Sequence, residues 1–290
     1  MNKTTITGPI TIRPLHPGDE ERLESFLRQH ADTSMFLRSN CRAGGLGYQG
    51  KPLQAEYVAA FDGGRIVAVA AHCWNDMMLV QAPVQVGAVA RAAVAHSGRP
   101  VLGLTGPADQ VAAARHALGL DDRPAPKVGR EQLFALCLAD LIAPVRLTDG
   151  SWTARHPRPD EMDRLVDWRV AFAVEALHRV DSTELRAECR REVELLRTLE
   201  ADWVLEDQGA VVAYAAFNAA LPDIVQIGGV WVPVELRGRG YGRGVVAGSL
   251  LDARLRGVTR AVLFAERADA KRAYVGIGFQ LQGDFGLLLF

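Results

Sequence analysis

Residues 228–244 read GGVWVPVELRGRGYGRG, with Arg237, Arg239 and Arg243 set among glycines. An apolar strand-like stretch precedes them, and VVAGSLLDARL, with helical apolar spacing, follows. A strand that feeds a glycine-rich loop at a helix N-terminus offers free backbone N–H groups and the positive end of a helix dipole. That chemistry suits a phosphate or pyrophosphate. Glycines let the backbone close around the anion, and the guanidinium groups add charge at the rim. Downstream, AKRAYVGIGF carries Tyr274, a phenol able to donate a proton. A Walker A loop requires Lys and Ser/Thr after its last glycine, and none is present. The RGxGxG spacing and its late position also fit a Rossmann fingerprint poorly.

The elements that must hold this loop occur twice in the chain. IRPLHPGDEERLESF (12–26) resembles ARHPRPDEMDRLVDW (154–168) at an offset of 142. AFDGGRIVAVAA (60–71) resembles LEDQGAVVAYAA (205–216) at 145, and RPVLGLTGPAD (99–109) resembles TRAVLFAERAD (259–269) at about 160. Three collinear matches point to two copies of one fold, divided into 1–146 and 147–290 by a linker near PVRLTDG (144–150). In each copy a strand leads to an amphipathic helix, 19–30 and 160–177, and a second helix is clearest at 182–200. Hairpins follow at 56–62/65–73 and 202–206/210–217, then strands at 77–81 and 224–232. A helix, a parallel strand (101–105; 260–265), a second helix and a terminal strand complete the copy. This order predicts an α+β, α/β-layered fold with mixed, mostly antiparallel central sheets. By the offsets, the second copy holds 16 additional residues between Gln226 and Leu263, in the region of the arginine-glycine loop.

The length of 290 residues accommodates two ordinary domains, and 49% hydrophobic residues supply their cores. The 33 Lys+Arg against 34 Asp+Glu leave a charge of −1, which argues against a nucleic-acid or anionic-lipid partner held by a broad basic face. Cys41, Cys73, Cys137 and Cys189 are scattered without metal spacing, so free thiols in a reducing cytoplasm are expected, and no metal site. MNKTTITGPITIRP has no apolar core of a secretory leader, and the polar breaks within 211–234 suit buried strands rather than a membrane span.

From Val230–Val232 through Pro233 and RGRGYG, the sequence resembles the acyl-CoA-binding motif of the GNAT N-acetyltransferase superfamily. Ala270, Tyr274, Gly278 and Phe279 continue the resemblance, which extends from about residue 152 onward. The whole chain is similar to two-domain bacterial members with a degenerate first copy. The resemblance implies acetyl-CoA as cosubstrate. Backbone at Val230, Trp231 and Val232 would carry the pantetheine arm, and residues 238–243 (Gly238, Arg239, Gly240, Tyr241, Gly242, Arg243), flanked by Arg237, would hold the pyrophosphate. Gly228-Gly229 would form a bulge that parts this strand from 260–265, with Tyr274 as general acid and the Val232 amide facing the developing oxyanion. Arg267 and Ala270 would flank the donor, although that family often has asparagine where Arg267 stands. Gln226 occupies a strand where relatives carry a carboxylate, and an amide is no base; Glu175 is the alternative candidate.

The expected activity is direct acetyl transfer to a small-molecule or peptide amine, with a homodimer as an allowed assembly. The alternative is a non-catalytic acyl-CoA-binding module. The first copy has neither the loop nor the tyrosine, with Ala114 near the tyrosine position, so it is not expected to bind acyl-CoA in this way.

Overall fold

The structure is a computed structural model that describes residues 8–125 and 127–290; the leader expectation for residues 1–7 lies outside the described residues. The elements run β1 (Ile10–Pro14), α1 (Glu20–Arg28), α2 (Met35–Gly44), β2 (Ala55–Asp62), β3 (Arg65–Cys73), β4 (Met77–Gln81), α3 (Val86–Ser97), β5 (Gly103–Pro107), α4 (Ala108–Ala117) and β6 (Lys127–Cys137). They continue with α5 (Val145–Thr148), β7 (Trp152–Arg155), α6 (Met162–Leu177), α7 (Thr183–Thr198), β8 (Asp202–Asp207), β9 (Ala210–Ala220), β10 (Ile224–Trp231), α8 (Tyr241–Leu255), β11 (Arg260–Ala265), α9 (Ala268–Val275) and β12 (Gln280–Leu289). Among the described residues no helix is long and apolar enough to cross a membrane.

The chain forms two compact units, residues 1–133 with 282–290, and residues 134–281. In the first, strands lie in the order β1-β2-β3-β4-β5-β12, antiparallel except for β4–β5. In the second the order is β6-β11-β10-β9-β8-β7, with β10–β11 parallel and β7 to β10 antiparallel. Each sheet is buried on both faces, which explains strands that read as continuous apolar runs. In β2, Val58 and Ala60 join the core under α3 and α4, while Tyr57 and Ala59 join the core under α1 and α2. In the second unit Trp203, Leu205, Ala213 and Ala215 pack toward α8, and Val204, Tyr214 and Ala216 toward α6 and α7.

The repeat is visible as a side-chain device. Arg13 donates to both oxygens of Asp19 at 2.6 and 2.8 Å, and the His16 N–H donates to the same carboxylate at 3.2 Å. At the same offset of 142 residues, Arg155 donates to both oxygens of Glu161 at 2.9 and 2.6 Å, and the Arg158 N–H donates to Glu161 at 2.6 Å. In both copies a strand is thereby tied to the start of the first helix. The Arg13 hydrogen bonds hold Asp19 down at about 2, and those of Arg155 hold Glu161 below its ordinary value.

Four features differ from the sequence reading. The division falls between Leu133 and Phe134 instead of 146 and 147, because Phe134, Leu136 and Leu138 bury into the second unit's core and the Leu138 N–H donates to Thr259 O at 2.8 Å. Residues 282–290 belong to the first unit: Phe285–Leu289 pair with β5, and Phe290 N–H donates to Leu102 O at 2.9 Å. The insertion is also shorter. Ile224 pairs with Arg260, 36 residues on, and Met77 with Gly103, 26 on, which leaves ten additional residues in place of sixteen. The segment 144–150, read as linker, contains α5, whose Arg146 lies over the Trp152 ring at 4.6 Å and bonds Asp207 at 3.0 Å.

Candidate active site

β10 and β11 pair only from Ile224↔Arg260 to Ile227↔Leu263. Beyond that point β10 runs on to Trp231 and β11 to Ala265 without pairing with each other, so the two strands open into a wedge. The opening coincides with a register shift against β9, between Gly228↔Ala216 and Trp231↔Tyr214, which leaves one extra residue on β10. Gly229 adopts φ +60 there, a left-handed conformation in which a side chain would be strained.

The loop after Trp231 ends at Gly240, which has φ +85 and caps α8 without a side-chain bond. The first backbone bond into the helix is Gly244 N–H to Gly240 O at 3.0 Å. Among the described residues, no acceptor takes the backbone N–H groups of 238–243. Six successive donors at the positive end of a fifteen-residue helix form a cradle for an anion. The Tyr241 side chain turns inward and donates to Asp207 at 2.7 Å, so from this residue only backbone faces the cradle.

Arg237 braces the site. It donates to both oxygens of Glu175 at 2.9 and 2.8 Å, to Val232 O at 3.1 Å, and lies 4.9 Å over the Trp231 ring. This ties α6 to the loop and to the end of β10. Hydrogen bonding from Arg237 holds Glu175 below the usual carboxylate range, which makes it a weak proton acceptor. Arg239 donates to Glu235 O at 3.4 Å and its charge lies near the Tyr241 hydroxyl, and Arg243 lies beside Gly240. Arg267 pairs with Asp269 at 3.1 Å and stands 3.7 Å from Glu175. Ala270, in the first turn of α9, packs against the second unit's core, and its N–H donates to the Asp269 carboxylate at 3.0 Å.

Tyr274, on α9, is buried in the same core as Val245, Ile277 and Phe279 and packs edge-on to Phe279 at 6.1 Å. Burial, reinforced by the Asp269 charge, pushes its phenol up to about 12. Gln226 is buried beside the wedge; its amide N–H donates to Ile227 O at 2.8 Å, and its Oε1 has no partner among the described residues. Trp203 stacks on Phe217 at 4.4 Å within the core, and His72 is held by Ser97 and the Pro100 carbonyl.

Sequence reasoning missed the polar groups on the α6/α7 side of the wedge. The Asn218 carboxamide occupies the place a Cβ on Gly228 would take, and Arg169 Nη1 comes within 3.5 Å of the same position on Gly229. A polar Asn inside an otherwise apolar strand, VVAYAAFNAA, was a signal in the sequence. Asp202 and Tyr214 are buried on this face and interact with one another. Desolvation pushes Asp202 up to about 6. The folded state therefore holds its proton more tightly than the unfolded chain does. The ionised carboxyl costs stability above pH 6, and the cost fades as the pH falls toward the ordinary carboxylate value. Asp202→Asn is expected to stabilise the protein by roughly 1–3 kcal/mol at pH 7.5, with the gain shrinking toward pH 5. Urea unfolding at both values checks this; destabilisation at pH 7.5, or an equal gain at both, would refute it.

The equivalent region of the first unit is closed. β4–β5 pairing ends at Leu79↔Thr105, but a Cβ on Gly106 would meet Val80 O at 2.5 Å, so the strands stay close. The Ala82 N–H, at the end of β4, donates to Gln110 Oε1 of α4 at 2.6 Å. Three residues then lead to α3, and Ala114, at the position of Tyr274 in the corresponding helix, is fully buried.

Residues 162–279, within the second unit, match the model of the acetyltransferase (GNAT) family. A search of curated protein sequences gives no match. Among solved structures, a Drosophila protein superposes with TM-score 0.62 at 12% identity, over 97% of this chain and 99% of that one. A tandem GNAT protein from the clavulanic acid biosynthesis pathway gives 0.52 at 15%, over 97% and 98%. A fungal multi-domain β-N-acetylglucosaminidase with a glucosamine N-acetyltransferase region gives 0.53 at 16%; 97% of this chain is covered, and it spans 38% of that protein. These likenesses show the fold: two GNAT-like units with large, mostly antiparallel sheets.

Proposed function

We propose that the second unit is an acetyl-CoA-dependent N-acetyltransferase acting on an amine by direct transfer. The observation that carries this reading is the six-donor cradle at the start of α8, set beside strands that part at Ile227 and Leu263. The cradle suits a pyrophosphate, and the open edge of β10 at Val230–Val232 suits an extended pantetheine arm that adds to the sheet. Tyr274 stays protonated at neutral pH and is the proton donor. The neutral amine nitrogen forms a C–N bond to the acetyl carbon, the C–S bond breaks, and the thiolate takes the Tyr274 proton. The amine's surplus proton passes to solvent, and the phenolate is reprotonated from water. The Val232 amide is the donor for the thioester oxygen.

The first unit, with Ala82 capped by Gln110 and alanine in place of the tyrosine, takes no acyl-CoA in this reading. A cytoplasmic setting accords with four free cysteines. The competing reading, a non-catalytic acyl-CoA-binding module, rests on Gln226 being no base and on Glu175 being held ionised.

Calorimetric titration of the full chain with acetyl-CoA, followed by thiol-release assays across an amine panel, tests the proposal. One bound acetyl-CoA per chain and amine-dependent thiol release are expected. Absence of binding refutes the donor site, binding without turnover favours the module, and ping-pong kinetics would exclude direct transfer.

A further inference from the structure

Two polar side chains from different elements converge on the twin-glycine bulge where the wedge opens. Arg169, on α6, donates its Nε to Glu192 Oε2 of α7 at 2.7 Å, and its guanidinium carbon lies 5.2 Å over the Phe172 ring. These contacts fix the guanidinium plane with Nη1 beside Gly229. Among the described residues no acceptor bonds Nη1 or Nη2, although the side chain is only 19% exposed. The exposed Asn218 carboxamide sits against Gly228 from the β9 side.

An arginine held by its Nε, with its terminal fork open, is arranged to take a planar anion through two parallel N–H bonds. The charge around it decides which anion. Glu192 already offsets the guanidinium, and Asp202 lies buried on the neighbouring face, so a doubly charged phosphate would be poorly compensated. A singly charged carboxylate fits the balance. In the acetyltransfer reading the open edge of β10 toward β11 is the donor's, which leaves the α6/α7 side of the bulge for the acceptor.

We infer that the acceptor is an amine bearing a carboxylate, of the amino-acid class, with its carboxylate held by the Arg169 fork and assisted by the Asn218 amide. The inference rests on the acetyltransfer reading. Arg169 thereby selects the substrate and orients its nitrogen toward the bulge, and the chemistry of transfer is as written above.

The test compares each of the twenty proteinogenic amino acids with its own carboxamide as acceptor, by thiol release from acetyl-CoA with the full chain. The carboxamide lowers the basicity of the amine and so leaves more of it neutral, which favours the control. A preference for the acid therefore reports recognition. At least one acid is expected to exceed its amide by about tenfold or more in kcat/KM. Arg169→Gln is expected to lower kcat/KM for that acid by roughly 10- to 100-fold, the loss of hydrogen bonds to a charged group. It should leave the amide rate and the acetyl-CoA affinity unchanged. Arg169→Lys retains part of the preference. Asn218→Ala, which breaks no ion pair, reduces the preference by a smaller factor and serves if Arg169→Gln folds poorly. Turnover of amides as fast as acids, equal losses for both in Arg169→Gln, or no acid turned over by a chain that binds acetyl-CoA, each overturns the inference. The first two leave the acetyltransfer reading standing. Failure to bind acetyl-CoA removes that reading, and the inference with it.

Discussion

Tyr274→Phe is expected to lower kcat by about 100-fold or more while acetyl-CoA binds as tightly as before. The substitution removes one oxygen and keeps the ring. Packing against Phe279 and in the core with Val245 and Ile277 is therefore retained, and stability should change little. The effect is large because a thiolate leaving a buried wedge has few other proton sources. Tyr274 is held at about 12 by burial first and by the charge of Asp269 second, so the donor stays protonated at neutral and moderately alkaline pH. No fall in kcat from this group is expected between about pH 7 and 10. Stopped-time thiol-release assays with wild type and variant, alongside calorimetry for acetyl-CoA, give the two numbers needed. A core aromatic with no chemical role predicts a variant within about threefold of wild type, and that result would remove Tyr274 from the mechanism.

Much of this arrangement is legible in local sequence, because local rules create it. The strand-to-helix start is repeated as Arg13–Asp19 and Arg155–Glu161 at one offset, and the hairpins turn at Gly63-Gly64 and Gln208-Gly209, between runs that form β2/β3 and β8/β9. The anion cradle follows from glycine spacing before a helix, and the structure leaves its N–H groups open. What stayed hidden depends on distant partners. Glu175 reads as a candidate base until Arg237, 62 residues away, is seen to take both its oxygens. Arg169 and Asn218 meet at Gly228-Gly229 only because the bulge turns the strand toward them. Strand partners are hardest of all. Backbone pairing carries no side-chain signature, so nothing in QLQGDFGLLLF announces that most of it completes the sheet of the other unit.

That last feature leads to the second large effect: a chain ending at residue 281 is expected to lose the fold of the first unit. Phe285–Leu289 pair with all five residues of β5, from Pro107 to Gly103. Thr105 donates its hydroxyl to Gly286 O at 3.0 Å, and Gly286 lies so close to Val111 that a Cβ would come within 3.1 Å of it. Phe285 and Leu288 are buried, and the Phe290 ring lies under the Arg123 guanidinium at 4.9 Å. Burial of two large side chains is worth roughly 1.5–3 kcal/mol each, and each lost backbone hydrogen bond about 1 kcal/mol. The sum is of order 5 kcal/mol or more, comparable with the whole stability of a domain of this size. Removal also bares β5 as an unpaired edge, open to aggregation. Limited proteolysis and thermal unfolding of 1–281 against the full chain are expected to show the first unit cleaved rapidly, with its transition lost. Leu288→Asp should give a graded version of the same defect. Fragments cut at 146/147 would fail for the same reason, since one loses 282–290 and the other loses 134–146 from its core. An unfolding transition of 1–281 within about 2 °C of the full chain would mean that β5 needs no sixth strand, and the exchange would then be incidental to stability.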